Sequence, residues 1–319
     1  MVVLITGATG MIGSALRRQL LSEGHVLVCQ SRGLPPDPGG SRWIQFELAT
    51  GEWKKFNLPN VDVVFHLAGQ TSVYQARNDP LRDFDVNVQG TLRLLEHFRN
   101  QAKPPFVVFA STVTISGLVD RLPITENTAD SPITFYDLSK QIGEMYLKQY
   151  VREGWIQGCS LRFANVFGRS LPGQQVDRGV IDKILKRALA GQALTVYGSG
   201  DYHRDYVFID DIVSALQLAP RYPERTNGRH FVLGSGEALT LNQAFGKVAD
   251  QVRKLTGIDV HIVHVDPPAD LSDIEYRNAV VDSSAFSQAT GWRRQFNFDK
   301  GIDQACRSLL GGDISEAPF

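Results

Sequence analysis

What the chain of 319 residues lacks first is an imbalance of charge: 33 Lys and Arg stand against 34 Asp and Glu, a formal net charge of −1. No overall field draws it to nucleic acid or to an anionic membrane. Basic pairs such as Arg17-Arg18 and Arg293-Arg294 read as solvated faces. Cysteine is scarce, and Cys29, Cys159 and Cys306 share no metal-ligand or redox spacing. No metal site is expected, and reduced thiols in a cytoplasmic protein are the simplest reading. No apolar run approaches membrane-spanning length, and no basic region precedes an apolar run at the N-terminus. Internal repeats and low-complexity segments are absent from the sequence too. These absences leave a cytosolic protein without nucleic-acid or membrane partners.

What is present is ordinary globular material, 43% hydrophobic and 21% charged, enough for one large domain or two. The first half alternates β-rich runs with helical patterns. VVLIT (2–6), VLVCQ (26–30), WIQF (43–46), VDVVFHLA (61–68), FVVFA (106–110) and a run from Gln157 through LRF (161–163) read as strands. Helices are predicted at Met11 to Ser22, from about Pro80 to Arg99, and at YDLSK (136–140). The strands are too uniformly apolar for a sheet with one wet face, which predicts an α/β fold: a Rossmann-type doubly wound parallel sheet with helices on both sides. Beyond Gly168 the pattern loosens. A helix near Val180 to Ala190 and the strand LTVYG lead into DYHRDYVFIDDIVSALQLA, read as a strand and helix returning to the first layer, and then the strand HFVLG (230–234). We expect a dinucleotide-binding domain at 1–168, with 205–235 returning to it. A smaller C-terminal α/β substrate-binding region is expected from 169–204 and 236–319, including HIVHV and the turn-rich DPPADLSD.

TGATGMIG (6–13) lies between the first strand and the first helix, the context that a phosphate cradle requires. Gly7 can take the tight turn, Gly10 admits a pyrophosphate to the backbone, and Gly13 permits close helix–strand packing. The helix N-terminus then offers unpaired N–H groups to the phosphates. At the end of the second strand an acidic residue would accept from the ribose 2′-hydroxyl of NAD, while an arginine would suit the 2′-phosphate of NADP. The chain has Gln30, Ser31 and Arg32, with no carboxylate and a guanidinium fork matched to phosphate, so NADP is favoured over NAD.

Strand VVFA ends in Ser111-Thr112, and strands of this kind carry ligands at their carboxyl ends. Tyr136 and Lys140, four residues apart, stack on one helix face. That spacing alone is weak, since about 0.3 such pairs arise by chance in this composition. An adjacent ammonium is expected to lower the phenol from its reference pKa of about 10. A hydroxyl, a phenol and a lysine over a nicotinamide make a hydride-transfer site for an alcohol–ketone pair.

TGATGMIG, HLAG (66–69), Ser111-Thr112, YDLSK, LRFANVFG (161–168) and RDYVFIDD (204–211) together resemble, in order, the signatures of the extended short-chain dehydrogenase/reductases, and among them the nucleotide-sugar epimerase/dehydratase branch. The resemblance implies that Tyr136 is the proton donor or acceptor, that Lys140 holds the nicotinamide ribose and tunes Tyr136, and that Thr112 orients the reacting oxygen. It implies cofactor contacts from Gly7, Thr9, Gly10, Met11, Ile12, Gly13, Ser31, Arg32, Glu47, Leu48, Leu67, Ala68 and Gly69, besides Tyr136 and Lys140. Asn165, Arg204 and, on a looser alignment, Arg277 would hold the diphosphate of a nucleotide-diphosphate sugar. A homodimer formed through the helices near 80–99 and 135–152 is also implied.

STVTISG separates the branches. Sugar 4,6-dehydratases follow the hydroxyl with an Asp-Glu pair, and this chain has Val113 and Thr114, which argues against water elimination. Ser116 departs from the tyrosine usual before the glycine, which leaves the exact sugar open. Two activities share the remaining set: a 4-epimerase, which is favoured, and an NADPH-dependent 4-keto-sugar reductase, toward which Arg32 tilts. A cofactor-bound sensor without turnover is the alternative of a different class.

Overall fold

The computed structural model describes residues 1–35, 38–168 and 179–311. Its strands are β1 (Val2–Thr6), β2 (Val26–Ser31), β3 (Ser41–Gln45), β4 (Val63–His66), β5 (Phe106–Thr112), β6 (Gln157–Phe163), β7 (Asn165–Phe167), β8 (Leu194–Tyr197), β9 (His203–Arg204), β10 (Tyr206–Phe208), β11 (His230–Leu233), β12 (Leu239–Thr240) and β13 (Ile262–Val265). Seven of them form one parallel sheet in the order β11-β6-β5-β4-β1-β2-β3. The order reverses between β1 and β4, which opens a crevice at the carboxyl ends of those strands.

Alternate residues of each strand enter opposite cores, so both faces are apolar. Val3, Ile5, Leu27, Cys29, Phe65 and Val108 pack on one side with α1 (Met11–Ser22). Leu4, Val28, Val64, Val107 and Phe109 pack on the other. This is why the strands read as continuous hydrophobic runs rather than as alternating ones. The predicted helix from 80 to 99 follows the short α2 (Val73–Asn78), and it is interrupted. It runs as α3 (Pro80–Phe84), a π-helical turn at Asp85–Gln89, and α4 (Gly90–Arg99). α4 gives the second core Leu94, Leu95 and Phe98, the last fully buried, so Phe98→Ala would cost about 3–5 kcal/mol.

α5 (Phe135–Arg152) starts at the N-cap Thr134, whose hydroxyl accepts from the Asp137 amide at 3.1 Å. It buries Asp137, Lys140, Gly143, Glu144, Leu147 and Tyr150, a stripe at helical spacing. Gly143 lets the helix lie close to the sheet, since a Cβ there would meet the Phe109 ring at 3.0 Å.

In the second half, α6 (Val180–Leu189) precedes β8, which pairs with β13. β9 pairs antiparallel with β12, and β10 pairs with β7. The strand expected to return to the first layer near 206 therefore forms a separate two-stranded ladder. α7 (Ile209–Leu218) packs on α1, and β11 joins the edge of the main sheet. α8 (Pro223–Thr226), α9 (Leu241–Thr256), α10 (Ser284–Thr290) and α11 (Phe298–Leu309) complete the described chain. Of the expected C-terminal region, 169–178 and 312–319 lie outside the described residues. No helix among those described is long and apolar enough to cross a membrane.

Candidate functional site

The glycine turn closes between β1 and α1 at the switch point. Gly7 has a positive φ of 67°, and a Cβ there would lie 2.8 Å from the backbone of Ala68. At Gly13 a Cβ would come within 2.3 Å of the Gly7 carbonyl, so only glycine lets α1 start so near the turn. Gly10 is the N-cap of α1 in extended conformation, with no side-chain acceptor on the first-turn amides and no acidic residue beside them. Thr9 is exposed, and Met11 and Ile12 are half-buried at the same end. These are the features an anionic diphosphate needs: open amides, positive helix-dipole end and a backbone that can be approached.

Gln30, 1% exposed, ties the turn to β3: its amide donates to the Phe46 carbonyl at 2.8 Å, and its oxygen accepts from Gly7 at 3.3 Å. Ser31 is buried, whereas Arg32 is exposed. Leu48 is buried. Glu47 is paired with Arg82 at 3.1 Å.

Across the crevice, Leu67, Ala68 and Gly69 follow β4 and are held from beneath by a buried polar relay. The Thr6 hydroxyl accepts from the Ala68 amide at 3.1 Å and lies 2.8 Å from His66 Nδ1. His66 Nε2 lies 3.0 Å from Thr91, whose hydroxyl donates to the Asn87 carbonyl at 2.7 Å. Thr91 therefore accepts, His66 carries its proton on Nε2, and Nδ1 accepts from Thr6. Burial, aided by Lys140, pushes the imidazole down to about 3, so it stays neutral. Asn87 sits in the π-helical turn and donates to the Gln70 carbonyl at 3.0 Å and to Asp83 at 2.9 Å. The extra residue in that turn aims Asn87 at the loop after Gly69.

Tyr136 and Lys140 lie one turn apart on the buried side of α5, facing the end of β5. The Tyr136 phenol is hydrogen-bonded to Thr112, which is 8% exposed at the strand terminus. The Lys140 ammonium lies 4.1 Å from the centre of the Phe109 ring and 3.8 Å from where a Gly69 Cβ would stand. Desolvation lowers its pKa to about 8, against the opposing pull of Asp83 and Glu144. The expected lowering of the phenol is not what the protein alone produces. Burial raises the Tyr136 pKa above its ordinary value, the charges of Asp137 and Asp83 raise it further, and the Thr112 hydroxyl opposes them only when it donates to the phenol oxygen. The lysine's own charge is shared with carboxylates, so stabilisation of a phenolate needs further positive charge in the crevice.

Beyond β6, Asn165 and Arg277 meet: Arg277 Nη2 donates to Asn165 Oδ1 at 3.3 Å, and Asn165 Nδ2 donates to the Asp205 carbonyl at 2.9 Å. Arg204, 4% exposed, spends its guanidinium on backbone oxygens, those of Arg277 and, at 2.6 Å, of Glu275. Asp205 points the other way and accepts from the Ser235, Gly236 and Val281 amides. The loop between β5 and α5 is fastened at two points. Ile124 exchanges backbone bonds with Val280 (2.7 Å) and Asp282 (2.9 Å), and Asp130 pairs with the buried Arg162 at 2.9 Å. Arg162 in turn pairs with Glu144 of α5.

The structure thus brings the glycine turn, Gly69, Lys140, Tyr136 and Thr112 to one crevice and sets Asn165 beside Arg277. Sequence reasoning missed His66, Asn87, Asp83 and Asp137, and read Thr114 only as an argument against water elimination. HLAG and YDLSK contain two of them, but nothing local shows that those side chains turn inward to polar partners.

A seven-stranded parallel sheet with a glycine-turn dinucleotide cradle and a Thr-Tyr-Lys set at its switch point defines an NAD(P)-dependent enzyme of the extended short-chain dehydrogenase/reductase class. The model of the NAD dependent epimerase/dehydratase family matches residues 3–234, and the chain belongs to that family. It is 30% identical over 316 residues to the UDP-glucose 4-epimerase of Mycolicibacterium smegmatis, covering 94% of this chain and 95% of that one. It is 27% identical over 321 residues to dTDP-4-dehydro-6-deoxyglucose reductase of Escherichia coli, covering 96% and 97%. The solved UDP-glucose 4-epimerase of Thermotoga maritima with UDP-glucose superposes with a TM-score of 0.86 at 28% identity, over 98% of this chain and 99% of that chain. That of Thermus thermophilus in complex with NAD gives 0.83 at 29% identity, over 98% and 99%.

Proposed function

We propose that the protein is a nucleotide-diphosphate-sugar 4-epimerase. The observation that carries this is the Tyr136 phenol set close enough to the Thr112 hydroxyl for that hydroxyl to act on its pKa, with Lys140 one helical turn away beside Gly69. Gly7, Gly10 and Gly13 with the first-turn amides would hold the dinucleotide diphosphate, Arg32 with Ser31 the adenosine side, and Lys140 the nicotinamide ribose. The cofactor supplies hydride acceptance and return at sugar C4. Tyr136 takes the proton from the C4 hydroxyl and gives it back, Thr112 orients that oxygen, and Asn165 with Arg277 anchors the sugar diphosphate. Elimination of water is disfavoured: Val113 is buried in an apolar cluster, and Thr114 is engaged with Asp137.

A 4-keto-sugar reductase is the second reading, favoured by one observation, the exposed Arg32 where an NAD site carries an acid. On the same ground we assign a preference for NADP over NAD. NAD occurs in the Thermus thermophilus neighbour, and the preference is this chain's own. Incubation with UDP-glucose and with a 4-keto sugar nucleotide decides between the two. Interconversion of epimers with no net change in reduced cofactor supports the epimerase. Stoichiometric NADPH oxidation by the keto sugar supports the reductase, and binding without change in either supports the sensor.

We also assign residues 1–168 with 205–235 to cofactor binding and 169–204 with 236–319 to the nucleotide sugar. A homodimer through α3 and α5 is supported by a run of exposed apolar side chains there: Leu81 (78% exposed), Phe84, Leu138, Met145 (61%) and Tyr146. The cytoplasm is the assigned compartment, consistent with Cys29, Cys159 and Cys306 all being buried and unlinked.

A further inference from the structure

Behind the phenol lies a string of hydroxyls ending at a carboxylate, which the catalytic reading does not use. Thr114 Oγ1 donates to Asp137 Oδ1 at 2.5 Å, and Thr112 Oγ1 lies 2.8 Å from Thr114 Oγ1. Each hydroxyl has one proton to give, and an ionised carboxylate only accepts. Thr114 gives its proton to Asp137, so toward Thr112 it is an acceptor. Thr112 then gives its proton to Thr114 and has only a lone pair left to offer the Tyr136 phenol. The Thr114 amide donates to Thr112 as well, at 3.2 Å, which occupies its second lone pair.

We infer that Asp137, acting through Thr114, sets the direction of the hydrogen bond between Thr112 and Tyr136 and is a positioning residue for the acid–base step. The inference rests on the catalytic reading of Tyr136 and Thr112. With Asp137 ionised, Thr112 is committed as an acceptor and holds the phenol protonated. With Asp137 protonated, the carboxyl donates to Thr114, each hydroxyl reverses, and Thr112 becomes a donor toward the sugar oxygen or a phenolate. No proton leaves the string in this reversal; the one added at Asp137 turns each hydroxyl in place.

The surroundings suit such a switch. Asp137 is fully buried, and its Oδ2 has no hydrogen-bond partner among the described residues. The groups facing it are Thr114 from the turn after β5, Thr134 from the helix cap, Tyr136 from its own helix, and the Arg277 guanidinium from the loop opposite. Burial raises its pKa, and Thr114, Thr134 and Arg277 oppose that rise. Substrate phosphate arriving at Arg277 would therefore weaken a cation that favours the ionised form.

The test uses the full-length protein with cofactor and UDP-glucose, and measures kcat and KM against pH for Asp137→Asn, Thr114→Val, Thr114→Ser and the Asp137→Asn/Thr114→Val pair. We expect each of the first two to lower kcat about tenfold, as loss of one charge-linked hydrogen bond does, with KM and cofactor affinity within about twofold by the same reasoning. Both should abolish the acid-side inflection of the kcat profile, the pair should be no worse than either alone, and Thr114→Ser should restore rate and profile together. A wild-type inflection retained in Thr114→Val, or losses that multiply in the pair, overturns the inference. So does a drop in melting temperature with the profile unmoved, which marks Asp137 as a helix-cap residue only. Tyr136→Phe run in parallel separates the two levels: if it retains turnover, the catalytic reading itself has failed; if it is inactive while both relay variants behave as wild type, only the relay has.

Discussion

Arg204 donates to the backbone oxygen of Arg277, so one arginine fixes the strand of chain on which the other stands. The two guanidinium groups are close enough that, after burial, repulsion from Arg277 is the main cause lowering the Arg204 pKa to about 10. Holding two cations together in a half-buried wall is unfavourable, and Glu275, 4.0 Å from Arg277, offsets part of that repulsion. The buried Arg277 Nε has no hydrogen-bond partner among the described residues, which leaves a donor for an anion.

The pair should therefore separate affinity from stability. Arg277→Gln is expected to weaken binding of UDP about tenfold to a hundredfold, the range of a hydrogen bond to a charged group, with little change in melting temperature. Arg204→Gln should do both, because it leaves the Glu275 and Arg277 carbonyls without their donor. Calorimetric titration with UDP beside thermal denaturation checks the split; equal loss of stability in both variants would assign Arg277 to structure.

Tyr136→Phe removes the proposed proton carrier and keeps the ring. Turnover should fall about a hundredfold to ten-thousandfold, the usual worth of a positioned acid or base, with cofactor affinity nearly intact. Single-turnover assays with fluorescence titration of the cofactor check it.

Arg32→Asp should invert cofactor choice. A carboxylate accepts from a ribose hydroxyl and repels a phosphate, so the ratio of NADP to NAD affinity should drop at least about tenfold. Tighter binding of NAD than of NADP by the unaltered protein would end the case for NADP.

Lys140 titrates within reach of experiment. Its folded pKa, about 8, lies below the ordinary 10.5 because burial disfavours the charge. The neutral form is thus favoured by folding, and the linked stability is present above the ordinary value and lost as pH falls through about 8. Cofactor binding runs oppositely, since it needs the ammonium: affinity should decline as pH rises through about 8. In Lys140→Met it should be weak and flat across that window, measured by cofactor titration at a series of pH values.

Gly13→Ala should fold poorly and bind no dinucleotide, because the new methyl would stand 2.3 Å from the Gly7 carbonyl. Gly246→Ala, where a Cβ meets nothing within 4 Å, is the control in the same measurements of melting temperature and cofactor binding.

Much of the fold was legible because a parallel sheet covered on both sides leaves an unambiguous trace. VVLIT was placed to the residue, and the strand read from about Gln157 through LRF runs from Gln157 to Phe163. The break at Asp85–Gln89 was not legible, since a π-helical turn keeps helical composition and shows itself only through what Asn87 reaches. Nor was the ladder of β10 with β7, where three residues of apolar sequence carry no sign of which sheet they join. In the site, glycine spacing and the Tyr–Lys interval were visible because local geometry alone fixes them. The phenol's raised pKa was not, because it depends on Asp83 and Asp137, one of them 53 positions away from Tyr136 and brought near only by packing.

The double fastening of the loop before α5 couples places that share no ligand. Ile124 is stitched to the stretch just after Arg277, and the same loop ends at Thr134, the cap from which Tyr136 and Asp137 take their positions. The proposed anion grip and the proposed proton carrier therefore stand on one short tether. Changes at Val280 or Asp282, which touch neither hydride nor sugar, should therefore show up as altered rates rather than altered binding.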